Sequence, residues 1–151
     1  MNTFDFGFGP VPAHQHPNGG GWVADTAYVA DSAYVGPNAR IYGNAEVSGD
    51  AVVYGNARIY GNAVVYGNAR VSGNAEVFGD ALVFDNARVS DDAEVSGNAR
   101  VCEYARVYGK ARIFDNARVC DNAVVYGYAE VYGYAEVSGD AEVYSDARVS
   151  K

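Results

Sequence analysis

From Val23 to Arg148 every sixth residue is Val or Ile, and each residue four positions further on is Ala. The two columns run through 21 consecutive hexads without an insertion or a deletion. From Ile41 the rest of the hexad settles mostly into Tyr, Ser, Phe or Cys, then Gly or Asp, then Asn or Asp, with a variable residue after the Ala. In Ala57-Arg58-Ile59-Tyr60 small apolar, polar, large apolar and aromatic residues alternate. Period two over four residues predicts a short half-buried strand with Ala57 and Ile59 inside and Arg58 and Tyr60 outside. Gly61-Asn62 then ends it. Gly accepts almost any backbone angle and Asn is the side chain most at ease with positive φ, so the pair predicts a tight corner. Strand and corner repeated in one sense coil the chain into a solenoid.

Three sides of six residues give 18 residues per coil. Ile41, Ile59 and Ile113, the isoleucines of the chain, differ by 18 and 54, and Cys102 and Cys120 differ by 18. Val52 and Val64, both outward, are 12 apart and point instead to a flattened 12-residue coil. The triangular solution predicts an all-β parallel helix of about seven coils over residues 23–151, roughly 34 Å tall at ~4.8 Å per stacked strand.

Residues 1–22 follow different rules. They hold Phe4, Phe6, Phe8, Pro10, Pro12, Pro17, His14, His16, Trp22 and the run Gly19-Gly20-Gly21. Pro and Gly at this density exclude a long helix or a central strand. The expectation is an irregular N-terminal cap that folds its Phe and Trp side chains over the open first coil.

Stacking by 18 assigns the outward residues to faces. One carries Tyr42, Tyr60, Phe78, Ser96, Phe114 and Tyr132, an aromatic ladder with a gap at Ser96. A second carries Val64, Tyr66, Leu82 and Phe84, an apolar patch of the kind that marks a contact surface. The third carries Val52 with Tyr54 and Val124 with Tyr126. Charged residues form columns too: Arg40, Arg58, Glu76, Glu94, Arg112, Glu130 and Arg148 alternate in part, whereas Arg70, Arg88 and Arg106 form a like-charged run, as do Arg100 and Arg118. Cys102 and Cys120 fall next to one another on adjacent coils. Parallel side chains would hold their Cβ atoms near the strand spacing, beyond the distance a disulfide prefers, so two thiols are expected.

Composition narrows the function classes. The net charge is −8, and no Lys/Arg cluster exists to neutralise several phosphates, which argues against nucleic acid. No run of 18 apolar residues and no basic segment leading into an apolar one is present, so neither a membrane span nor a standard secretory signal is expected. A cytoplasmic or virion-associated location fits. Thr3 and Thr26 are too few for the flat Thr arrays of ice binding. The chain stops in mid-hexad at Val149-Ser150-Lys151, an open edge that invites pairing with another chain.

The unit Val-(Tyr/Ser)-Gly-(Asn/Asp)-Ala-x, recurring over residues 23–148, resembles the hexapeptide-repeat proteins. The lead-in from Pro12 to Trp22 resembles uncharacterised bacterial and phage-borne members. The resemblance implies a left-handed parallel β-helix and packing as trimers. Its functions span acyltransferases, carbonic anhydrases and scaffolds without chemistry. The acyltransferases use a histidine general base and long inserted loops; here no histidine follows His16 and no loop interrupts the repeat. The carbonic anhydrases need three His ligands and this chain has 2 His. His14 and His16 are thus the sole candidates for acyl-transfer chemistry at a subunit boundary or for a metal, with Asp5 or Asp25 to complete the set, and structural roles in the cap fit them better. No metal, cofactor or catalytic residue is assigned. The expectation is a non-catalytic spacer or assembly module that self-associates through Val64, Tyr66, Leu82 and Phe84. An acyltransferase and a glycan-binding module that stacks sugars on Tyr rows are the alternatives.

Overall fold

The computed structural model describes residues 2–151 and is built of strands, turns and bends, with no helix among those residues. Strands β1 (Thr3–Asp5), β2 (Pro10–Gln15) and β3 (Trp22–Ala24) open the chain. From Tyr28–Val29 onward a short strand recurs at each hexad, mostly two residues long. These strands stack in parallel into three sheets of seven, the first of which β1, β2 and β3 extend to ten. Every parallel pair is in register at i and i+18, as in Ile59 beside Val77, Val65 beside Val83 and Val71 beside Val89. The cross-section is therefore triangular, and the 18-residue coil displaces the 12-residue alternative.

The interior follows the two apolar columns. From Ala33 to Val131 every Val/Ile and Ala of those columns is buried, nearly all at 0% exposure. Backbone groups are satisfied mainly between coils, with a turn bond at the corners inside each coil, as from Ala75 N–H to Ser72 O at 3.2 Å. Arg40, Tyr42 and Asn44 donate to the carbonyls of Ala57, Ile59 and Gly61 at 3.0, 3.0 and 2.8 Å, and the pattern repeats down the prism. Such a stack removes polar backbone from water without a helix or long strand.

At the corners the positive φ falls on the first residue of the pair. Gly61 has φ +67°, while the Asn that follows is not left-handed. Six corners carry a side chain in this conformation: Asp85, Asp91, Glu103, Asp115, Asp121 and Ser145, at φ 56–59°.

Two expectations require correction. The cap is not irregular: β1 and β2 form an antiparallel hairpin, and β2 pairs with β3, extending the first sheet. Nor do the aromatics lie over the open end of the coil. Phe6 is buried against Ala13 and Ala24 and stacks on Tyr42, so the cap's aromatic side chains continue the outward ladder of the first face. They go there because Tyr42 offers a flat apolar partner, whereas the coil end at Val35 is covered by backbone and Ala27 and Val29 stay partly exposed. The turn 16–21 supplies that backbone: Gly21 donates to Val35 O and Val35 donates to Asn18 O, both at 3.0 Å. The run of glycines permits this approach, since a Cβ at Gly21 would meet the Gly36 carbonyl at 2.3 Å.

The second correction is a disulfide between Cys102 and Cys120, whose Cα atoms are 4.7 Å apart. Both residues follow the two-residue strands Arg100–Val101 and Arg118–Val119. The Cα spacing lies inside the disulfide range, and rotation about each Cα–Cβ bond brings the two sulfurs together.

Candidate binding surfaces

His14 and His16 are separated by their roles. His16 is 3% exposed and its Nε2 donates to Ala33 O at 2.8 Å, as does Asn18 Nδ2 at 3.1 Å. It is a buried fastener of the cap. His14 is half-exposed, and its Nδ1 lies 2.8 Å from Asp25 Oδ1. Asp5 is elsewhere. Its carboxylate accepts from Gly7 N–H at 2.7 Å and Gly9 N–H at 3.0 Å, and these bonds hold its carboxyl below the usual range. Among the described residues no three His, Cys, Asp or Glu converge on a metal-sized point.

The first face carries the ladder in two segments. Tyr42, Tyr60 and Phe78 stack at centroid distances of 4.8 and 5.0 Å with planes within 3° of parallel, and Phe114 stacks on Tyr132 at 5.1 Å. Tyr60 Oη donates to Glu76 Oε1 at 3.0 Å. Burial first, then that hydrogen bond, push the Tyr60 hydroxyl far above its ordinary range. The same face carries the chain of ion pairs Glu94–Arg112–Glu130–Arg148, at 3.1, 3.6 and 3.5 Å. These are exposed contacts and contribute little to stability.

On the second face Val64 lies beside Leu82, and Tyr66 stacks on Phe84 at 5.0 Å. All four are partly exposed. Glu46 flanks the patch beside Val64, and Arg100 flanks it beside Leu82. Cys102, 5% exposed, and Cys120 continue the row below Phe84, so the disulfide lengthens the apolar strip.

Two features escaped the sequence reading. The third face carries a ladder of its own, Tyr108–Tyr126–Tyr144, with centroids 5.0 and 5.5 Å apart. Spacing by 18 alone identifies it. A cavity of about 380 Å³ opens between the hairpin and the first face, lined by Phe4, Trp22, Asn38, Arg40, Asn56 and Arg58 among others. Its site depends on how β1 and β2 dock, which no period in the sequence specifies.

Against known families, six stretches match the YdcK beta solenoid repeat: residues 39–55, 53–67, 57–73, 65–79, 111–127 and 117–133. The chain is a β-solenoid repeat protein. No curated protein and no solved structure matches it. The matched stretches hold Tyr42, Tyr60, Phe78, Val64 and Tyr66 at one end and Phe114 and Tyr132 at the other.

Proposed function

We propose that this solenoid is a rigid structural module that pairs with a second copy of itself through the second face. The order of outward residues down that face carries the reading: Glu46, Val64, Leu82 and Arg100 occupy four successive coils. A twofold axis between Val64 and Leu82 sets Val64 of one copy on Leu82 of the other, Tyr66 on Phe84, and Glu46 on Arg100. The face is thus self-complementary in shape class and in charge, as an isologous interface requires. Aromatic and aliphatic side chains at the centre with charges at the rim are the usual anatomy of such a contact. This arrangement favours a pair over the trimer that the hexapeptide resemblance implies. An uninterrupted repeat suits a spacer, because no loop leaves the prism between Val23 and Arg148. Light scattering tests the reading: the mass should reach twice the 16.0 kDa chain as concentration rises. A mass that stays at one chain at high concentration would remove it.

A second reading rests on the His14–Asp25 pair, which has the orientation of a general base held by a carboxylate. Acyl transfer from a thioester to a hydroxyl or amine acceptor, abolished by His14→Gln, is the activity it requires. Turnover indifferent to that substitution would end this reading.

A further inference from the structure

We infer that the cavity between the hairpin and the first face binds an acidic sugar, a carboxylate-bearing residue of a polysaccharide. Trp22, Arg40 and Arg58 stand in one column on three successive coils, one strand spacing apart. Trp22 stacks on Phe4 at 4.9 Å, and the Arg40 guanidinium lies 5.3 Å from the Phe4 centroid. Behind this column the corner residues Asn38 and Asn56 form a second ridge, and Ala39, 1% exposed, is the floor between them. The result is a trough along the prism axis with an aromatic end, two cations on one wall and two amides on the other.

The two cations carry the argument. Arg112, Arg118 and Arg148 each meet a carboxylate, whereas Arg40 and Arg58, like Arg70, Arg88, Arg100 and Arg106, form no ion pair among the described residues; what sets Arg40 and Arg58 apart is that they line this cavity beside Phe4 and Trp22. The next carboxylate in the column, Glu76, already accepts the Tyr60 hydroxyl. Arg40 has Arg58 and Trp22 as its column neighbours and no carboxylate, so the repulsion between the two guanidinium groups favours an anion beside Arg40. Guanidinium forks match a planar carboxylate in bidentate fashion. Asn56 Nδ2 donates weakly to Asn74 at 3.4 Å, which leaves its Oδ1, and the whole amide of Asn38, for neighbouring hydroxyls. The stacked Phe4–Trp22 pair lines the end of the cavity and offers an apolar wall to the C–H groups of a sugar ring. A cavity of about 380 Å³ lies within the range of small-ligand sites, roughly 300–1,000 Å³. The residues lie on the first face, so this site and self-pairing through the second face stand or fall separately.

The protein contains 1 Trp, so its fluorescence reports on the site directly. Trigalacturonate should change the emission of Trp22 saturably. A neutral trisaccharide of the same length should bind at least about tenfold more weakly. The Arg40→Gln/Arg58→Gln variant should lose trigalacturonate by at least about tenfold and keep the wild-type circular dichroism spectrum. Trp22→Leu, followed by calorimetry, should weaken binding several-fold. The Leu82→Asp variant should bind normally. No saturable signal or heat at millimolar trigalacturonate would overturn the inference, as would equal affinity for the neutral sugar. Equal competition by inorganic phosphate, together with unchanged binding by Trp22→Leu, would reduce the site to a bare anion contact and would also overturn it.

Discussion

The Asp91 carboxylate accepts a hydrogen bond at 3.1 Å from the backbone N–H of Gly109, the residue at the same corner one coil further on. Asp85, Asp115 and Asp121 do the same for Glu103, Gly133 and Gly139, at 3.3, 3.2 and 2.8 Å. Each of these Asp residues has a left-handed backbone that costs an L side chain about 1–2 kcal/mol. The bond to the next coil offsets much of that cost, which explains why Asp alternates with Gly at this position. Asp91→Ala retains the left-handed cost and loses the bond, so it should destabilise by about 1 kcal/mol. Asp91→Gly loses both and should stay within about 0.5 kcal/mol of wild type. Urea denaturation ranks the two; an Ala variant as stable as the Gly variant would show that the carboxylate bond contributes nothing.

Gly61 and Gly139 separate conformational cost from crowding. Both have positive φ, at +67° and +63°. A Cβ on Gly61 would lie 2.9 Å from Gly79 N, whereas nothing lies within 4 Å of one on Gly139. Gly139→Ala should cost about 1 kcal/mol, the left-handed term alone. Gly61→Ala should cost about 1–3 kcal/mol more, because the next coil must move. Equal losses in denaturant midpoint would mean that the stack accommodates the methyl freely.

Much of the prism was legible in the residues. The Val and Ala columns name the core, and the 18-residue recurrence of Ile and Cys names the coil, because a solenoid with no loops converts sequence spacing directly into spatial adjacency. The same arithmetic placed Val64 beside Leu82 and Tyr42 beside Tyr60. It fails where the chain leaves the period. Phe4 and Trp22 meet only because β1 and β2 fold back onto the first sheet, so the trough they share with Arg40 has no sequence signature. The disulfide has a different reason: spacing by 18 gives the Cα separation but not the rotation about each Cα–Cβ bond that brings the two sulfurs together. The second corner residue extends side-chain contacts up the edge: Asn56, Asn74 and Asp92 pair at 3.4 and 3.2 Å, and the Thr26 and Ser32 hydroxyls donate to the carbonyls of Gly43 and Gly49 one coil on.

Ala81 is fully buried in the column that keeps the coils narrow. Ala81→Leu adds bulk where the flanking coils leave none, and should lower stability by about 1–3 kcal/mol or more through overpacking. A thermal melt followed by circular dichroism within a few degrees of wild type would contradict the tight interior.

Glu103 sits between Asp85 and Asp121 in one corner column. A hydrogen bond to the Asp121 carboxyl, then repulsion from its charge, raise the Glu103 carboxyl above its ordinary 4.5. Above that value the folded protein holds the proton more tightly than the unfolded chain, so stability falls as the pH climbs through the raised value. Glu103→Gln cannot ionise. It should melt higher than wild type at pH 7, with the difference shrinking towards pH 4. A difference that grows on acidification has the wrong sign for this column.

In the proposed pair the second face meets its own copy in antiparallel fashion, and a charge swap measured by light scattering tests that arrangement most directly. Arg100→Glu sets two carboxylates against each other in the pair and should shift the mass towards one chain. The double variant Glu46→Arg/Arg100→Glu should restore a mass of two chains, since each rim contact regains opposite charges. Identical masses for wild type, single and double variants, or a double variant no better than the single, would contradict it.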